Sequence, residues 1–313
     1  MASMNYRAFI AGQVESLRRE VGRGIAINAL SGGVDSSVVT VLAHRALGPQ
    51  MKTILVDNAL MREGEPRRVV KIFRDLGIPV ELVDARKTFL RALRGLTDPE
   101  EKRQAITETF YKDVFGKAVK RSRATFLLHG TILTDIEETV AGIKRQHNIL
   151  AQLGIDPQKA YGYKVLEPLA TLRKDGVRRV ATLLGLPGDI TRRIPFPGPA
   201  LATRIVGEVT EERLATVRKA TAIVEEELGD TGAFQYLAVL LNDCATGIRK
   251  GRREFGQIIV VRCIDSVDAR RATARELPWP VLHRLTRRIT AIPGVNRCLY
   301  DLTPKPPATV EYI

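Results

Sequence analysis

Acidic residues and cysteines are what this sequence is short of. Against 49 lysines and arginines stand 35 aspartates and glutamates, a formal net charge of +14. Three cysteines, Cys244, Cys263 and Cys298, form an odd set without paired spacing, so neither a disulfide framework nor a zinc site is indicated. No apolar run approaches the roughly 20 residues that a bilayer demands. The opening MASMNYRAFIAGQVESLRREV has polar residues in every turn and no apolar centre of a secretory signal. It reads as an amphipathic helix, and a cytoplasmic location is expected. Aromatics make up only 5% of the chain, and no basic stretch is interleaved with them. The positive charge fits either anionic partners (nucleotides, pyrophosphate or nucleic acid) or simply a soluble basic surface, and without an RNP-type signature an RNA partner is not expected.

What is present is an alternation of apolar strands and amphipathic helices over 313 residues, a length that favours two domains. IAINAL (25–30) has strand length, SGGVDSS (31–37) follows, and VVTVLAHRAL has the spacing of a buried helix ending near Gly48-Pro49. Strand, glycine turn and helix present backbone N–H groups and a helix N-terminus to an anion. Gly32 and Gly33 permit conformations and a close approach that a β-carbon would block. Asp35 inside such an anion nest demands a cation, and Mg²⁺ between it and phosphates is the natural one. Strands are expected at KTILVDN (52–58), IPVELVDA (78–85) and within ATFLLHGTILTDIEE (124–138), with a helix at 65–77. This pattern predicts a doubly wound parallel sheet with ligand-facing residues at the carboxyl ends of its strands. The rest reads as helix TEERLATVRKATAIVEEEL (210–228), strands FQYLAVLL (234–241) and QIIVVRCI (257–264) with a loop between them, helix LPWPVLHRLTRRITAI (277–292) and a short final strand: a smaller α+β domain with an antiparallel sheet. Domain boundaries are expected at 1–204 and 205–313.

SGGVDSS is neither the Walker nor the GxGxxG pattern; it resembles the pyrophosphate loop of the ATP pyrophosphatase superfamily. TDPEEKR (97–103), HGTILTD (129–135), IPFPGPALATR (194–204) and GVNRCLYDLTPKPPATVE (294–311) resemble the ATP-pyrophosphatase subunit of the GMP synthase family from end to end. That resemblance implies an adenine nucleotide α-hydrolase-like fold, ATP and Mg²⁺, and activation of xanthosine monophosphate (XMP) by adenylylation before ammonia displaces AMP. Ser31, Gly32, Gly33, Asp35, Ser36 and Ser37 would hold pyrophosphate and Mg²⁺. Val56, Asp57, Gly130 and Thr131 would line the ATP site, with Asp135 and Lys174 acting in catalysis beside Asp35. Asp175 would join Asp35 at the metal. Lys144 and His147 match a lid that closes over both substrates. Arg204, Gln235, Arg253, Lys305, Thr309 and Glu311 would contact the substrate nucleotide. A homodimer through the carboxyl domain is implied, with ammonia supplied free or by a separate glutaminase subunit.

The sequence departs from the family at its base and nucleotide end. His129 stands for glutamine, Gln146 for histidine, Ile194 for histidine, Lys250-Gly251 for Gly-Asp, and Arg270-Arg271 for Met-Thr. These changes keep alternatives open: a different oxo-purine or heterocycle nucleotide as acceptor, sulfur delivered by a separate carrier, or a non-catalytic nucleotide- or RNA-binding descendant. Against a chain-borne sulfur route, the first cysteine comes only at Cys244.

Overall fold

The computed structural model describes residues 4–140, 162–191, 196, 198–267 and 269–313. By contacts it divides into two units. The first comprises Met1–Asp57, Pro66–Ala85 and Thr107–Arg193; the second comprises Asn58–Glu65, Arg86–Ile106 and Ile194–Ile313.

The first unit opens with α1 (Tyr6–Val21), started by the Asn5 side chain accepting from the Ala8 amide and stopped by Gly22 at φ 54°. There follow β1 (Ala26–Ala29), α2 (Val34–Leu47), β2 (Met51–Asp57), α3 (Glu65–Asp75) and β3 (Glu81–Asp84). In chain order come α4 (Arg86–Leu93) and α5 (Pro99–Glu108), which belong to the second unit up to Ile106, and then, in the first unit, α6 (Gly116–Ser122), β4 (Phe126–Leu128), α7 (Leu133–Val140), β5 (Lys164–Leu166), α8 (Lys174–Leu183) and α9 (Gly188–Thr191). Strands pair in the order β3-β2-β1-β4-β5, all parallel, with Ala26 opposite both Met51 and Phe126. The expected doubly wound parallel sheet is present. Its order reverses at β1, so the crevice between the carboxyl ends of β1 and β4 is the topological switch point, where such sheets bind ligands. β1 is central, with a neighbouring strand on each side, and is buried up to Asn28, whose side chain donates to Thr40 Oγ1 at 2.7 Å. β3 is shorter than the expected 78–85, and β5 extends the sheet by a strand that sequence pattern did not reveal.

In the second unit, α10 (Glu211–Leu228) starts at Thr210, whose hydroxyl accepts from the Arg213 amide, with Glu211 and Glu212 in the first turn. It packs on the hairpin of β6 (Gln235–Arg249) and β7 (Arg252–Asp265). β8 (Thr273–Ala274) adds antiparallel to β7. After α11 (Trp279–Thr290), β9 (Val295–Tyr300) pairs with β7 in parallel. The sheet expected to be antiparallel is therefore mixed, because the helical crossover brings β9 back in the direction of β7. The hairpin also runs longer than expected. Lys250 (φ 50°) and Gly251 (φ 73°) supply the two positive-φ positions of a tight two-residue turn. TGIRKGRREFG (246–256) is thus hairpin rather than loop.

Irregular main chain in this unit is held by a buried cation. Lys102 on α5, 2% exposed, donates to the carbonyls of Ile205 at 2.8 Å and Gly207 at 3.0 Å, with Ala202 at 3.5 Å. Burial, reinforced by Arg213 and opposed by Asp98, lowers its pKa from 10.5 to about 8. The unfolded chain consequently binds more protons than the folded one between about pH 8 and 10.5. This contribution to stability is complete above that window and is lost as pH falls through it. Lys102→Met is expected to cost about 1–3 kcal/mol by orphaning carbonyls. In urea titrations, the wild-type advantage should also grow from pH 8 towards pH 10, and a pH-independent advantage would contradict the depressed pKa.

Candidate functional site

β1 is followed by Leu30, whose amide still donates to the Ile54 carbonyl at 2.8 Å. The chain then turns through Gly32 at φ 78°, a conformation that favours glycine. Ser31 and Ser36 brace the turn: their hydroxyls lie 2.9 Å apart, the Gly33 amide donates to Ser31 Oγ at 3.3 Å, and Ser36 Oγ donates to the Gly33 carbonyl at 3.1 Å. Gly33 caps α2 without a side-chain hydrogen bond. The helix N-terminus is left to an outside anion, and its dipole favours one.

Asp35 sits in that first turn. Its Oδ2 accepts from Lys174 Nζ at 2.5 Å, while its Oδ1 is buried without a hydrogen-bond partner. Lys174 comes from the first residue of α8, so the sheet and its helices bring together residues 139 positions apart. Gly130 closes the other side: a β-carbon there would lie 3.3 Å from the Ser36 nitrogen and 3.4 Å from the Asp35 backbone. Glycine is needed where the end of β4 meets the start of α2.

Among the described residues, no group of three or more histidines, cysteines, aspartates and glutamates forms a ready metal cage. The donor set suits Mg²⁺ of the kind carried on phosphates with one or two protein carboxylates. Asp35 Oδ1, buried and unsatisfied, is the oxygen that fits it. Asp175 follows Lys174 in the same first turn and is exposed. Ser37 is fully buried, its hydroxyl enclosed without a partner beneath the turn.

At the carboxyl end of β4, Thr131 is 2% exposed and donates to Glu167 Oε1 at 2.6 Å, while His129 Nδ1 lies 2.8 Å from its hydroxyl. Sequence inspection missed Glu167; only the pairing of β4 with β5, Leu128 against Leu166, brings it there. Asp135 Oδ2 accepts from the Ile132 amide at 3.1 Å and shapes the entry to α7. Val56 is buried in β2, and Asp57 marks its carboxyl end. Lys144, His147, Gln146 and Ile194 lie outside the described residues.

The second unit brings three expected nucleotide residues together. Arg204, 1% exposed, grips Glu311 through Nε at 3.2 Å and Nη2 at 3.1 Å, and Gln235 Nε2 donates to the same carboxylate at 2.6 Å. Two guanidinium groups lie over the Phe196 ring, Arg62 at 3.9 Å and Arg204 at 4.6 Å from its centroid. Thr309 Oγ1 donates to the Glu311 carbonyl. Lys305 turns instead to the Ala269 carbonyl at 2.8 Å. Arg253 is exposed beside the hairpin turn, opposite Ile248, whereas Gln235 pairs with Ile264 at the other end. Eleven residues of β7 separate those two levels, about 36 Å at strand rise.

A parallel sheet whose glycine turn offers helix N–H groups beside a half-satisfied carboxylate can hold a polyphosphate with its counter-ion, which places the chain among the α/β ATP pyrophosphatases. Residues 222–312 match the model of the GMP synthase C terminal domain, and residues 6–201 that of NAD synthase. The chain is 48% identical over 311 residues to a GMP synthase (glutamine-hydrolyzing) subunit of Archaeoglobus fulgidus, covering 99% of this chain and 100% of that protein. It is 48% identical to the protein of that name from Thermococcus kodakarensis, over 97% of this chain and 98% of the relative. The corresponding protein of Methanopyrus kandleri is 45% identical, over 98% of each chain. This chain belongs to that family of GMP synthase subunits. Among the described residues, no helix is long and apolar enough to cross a membrane.

Gly130→Ala tests the switch-point geometry. The added methyl should push the first turn of α2 outward, at about 1–3 kcal/mol for overpacking. An ATP titration should show affinity falling about tenfold, the equivalent of 1.4 kcal/mol; unchanged affinity would separate ATP from this crevice.

Proposed function

We propose that the chain is a ligase that converts XMP, ATP and ammonia into GMP, AMP and pyrophosphate. The carrying observation is the uncapped α2 N-terminus with Asp35 Oδ1 buried and unpartnered inside it. An acid in an anion site makes sense only where a divalent cation and phosphates arrive together. The oxygen on C2 of XMP attacks the α-phosphorus of ATP, and pyrophosphate leaves. Ammonia then attacks C2, AMP departs with that oxygen, and the surplus protons are released. Activation is needed because a carbonyl oxygen leaves poorly, whereas AMP leaves well.

The residues have distinct tasks in this account. The Gly32-Gly33 turn and the α2 amides hold the two outer phosphates. Lys174 offers positive charge to phosphate oxygens as charge builds at phosphorus. Mg²⁺, held by Asp35 and by Asp175, would neutralise the departing pyrophosphate. Thr131, fixed by Glu167, and Asp135 line the ATP side. Arg204, Gln235, Thr309 and Glu311 form the nucleotide subsite, with Lys305 and Arg253 as outlying members. The functional division remains an ATP-pyrophosphatase part, 1–204, and a dimerisation and nucleotide part, 205–313. The relatives' names describe one subunit of a glutamine-hydrolysing enzyme, so a separate glutaminase subunit is the proposed ammonia source. A homodimer is the proposed assembly.

The deciding experiment supplies ATP, Mg²⁺ and ammonium with XMP or other purine nucleotides. GMP, AMP and pyrophosphate should appear in equal amounts with XMP alone. AMP release with another nucleotide but not with XMP would overturn the substrate, and no AMP with any nucleotide would overturn the enzyme. Asp35→Asn should reduce turnover at least ~100-fold without lowering the melting temperature, as losses of electrostatic stabilisers do.

A further inference from the structure

The closing segment, residues 301–313, contains no helix or strand, yet it carries Lys305, Thr309 and Glu311. Its main-chain ties to the sheet are the Asp301 amide to the Val261 carbonyl at 2.9 Å and the bridge between Lys305 and Ala272. Something else must fix the remainder, and Arg262 on β7 has the bonds to do it. Its side chain is 1% exposed. Nη1 donates to Asp301 Oδ2 at 2.7 Å and to the Thr303 carbonyl at 2.8 Å, and Nη2 donates to the Thr309 carbonyl at 3.0 Å. One guanidinium thereby collects three points spread over nine residues of irregular chain.

The register shows where this happens. Arg262 pairs with Leu237 and Ile264 with Gln235, so Arg262 and Gln235 project from the same face of the hairpin. Gln235 takes the Glu311 carboxylate; Arg262, one pair along, takes the main chain leading to it. The surroundings are apolar, with Leu237, Val239 and Val260 forming a small core on that face. An aliphatic residue would fill the position without desolvating a charge. The arginine even leaves its Nε buried and unpartnered. What an aliphatic residue could not supply is a planar fork that meets a carboxylate and two carbonyls at once. Burial pushes the Asp301 carboxyl up, but hydrogen bonds from Thr303 and Arg262 outweigh it and hold the group below the usual carboxylate range.

We propose that Arg262 is the positioning residue of the substrate-nucleotide subsite, with Asp301 as its anchor: it fixes the closing segment so that Glu311 meets Arg204 and Gln235. The inference rests on the nucleotide assignment made above, and its test separates the two. Steady-state kinetics on the full chain compare wild type, Arg262→Lys and Asp301→Asn, varying XMP at saturating ATP and then the reverse. If wild type releases no AMP with XMP, the assignment itself fails. With wild type active, Asp301→Asn should raise the KM for XMP about fivefold and Arg262→Lys about tenfold or more, since 1.4 kcal/mol corresponds to a factor of ten. The KM for ATP and the kcat at saturating XMP should stay within twofold. Asp301→Asn removes one charge at the edge of the bond network and keeps the test open should Arg262→Lys fail to fold. An unchanged KM for XMP in Asp301→Asn, or a rise shared equally by ATP, overturns the proposal.

Discussion

A carboxylate placed where anions bind is the constraint on which the first unit depends. Two unit charges of like sign 4 Å apart repel by about 4 kcal/mol at the dielectric of a protein surface, so phosphates cannot enter beside Asp35 unless cations enter too. Lys174 supplies one, at 2.5 Å from Oδ2. The unpartnered Oδ1 is left for another. Everything around this pair serves its placement. Gly32 bends the chain, Ser31 and Ser36 lock the bend, and Gly130 lets β4 close against it. The parallel order then puts α8 within reach, so the site is as much a consequence of strand order as of the SGGVDSS stretch.

The second unit solves a different problem with the same kind of charge. Its irregular segments leave many carbonyls without ladder partners, and buried carbonyls must be satisfied. Long cationic side chains do this repeatedly. Lys102 serves Ile205 and Gly207; Arg213 serves Val206, Glu208 and Leu241; Arg218 serves Ala59 and Met61; Arg262 serves Thr303 and Thr309. The excess of basic residues is therefore partly internal architecture, and reading all of it as an anion-attracting surface assigns too much to the outside. Each such cation carries a desolvation cost, visible in the depressed pKa of Lys102 and the lowered one of Arg213.

The local parts of this structure were legible in the sequence. Strand, glycine turn and helix at 25–47 could be read directly, because glycine and serine at those spacings serve a phosphate loop better than a core. The alternation of elements announced the parallel sheet. Non-local features were hidden. Glu167 gains meaning only when β5 lies beside β4, and three-residue strands give almost no periodic signal. Residues 242–256 alternate weakly between polar and apolar, so the far half of the hairpin looked like loop. Arg262 interrupts the apolar run IIVVRCI, and nothing nearby in the chain says that its partners lie 39 to 47 positions onward.

The departures from the family pattern were grounds for suspecting another substrate, and their surroundings weaken that suspicion. Glu167 can only accept from Thr131, so the Thr131 hydroxyl proton is committed to it. His129 Nδ1, facing the Thr131 oxygen, must then be the donor. A glutamine amide at that position could donate the same bond, so histidine for glutamine preserves the contact that matters to Thr131. The Lys250-Gly251 pair likewise supplies the two positive-φ residues of a hairpin turn, and the adjoining Arg249 is tied to Glu254 at 2.7 Å and to the carbonyls of Thr290 and Val295. Arg249 is thereby bonded within the second unit, while Lys250 is exposed at the turn. Of the changed positions that the structure describes, these two sets are accommodated locally, His129 by a hydrogen bond and Lys250-Gly251 by the backbone conformation of the turn, which is what drift at constant chemistry requires.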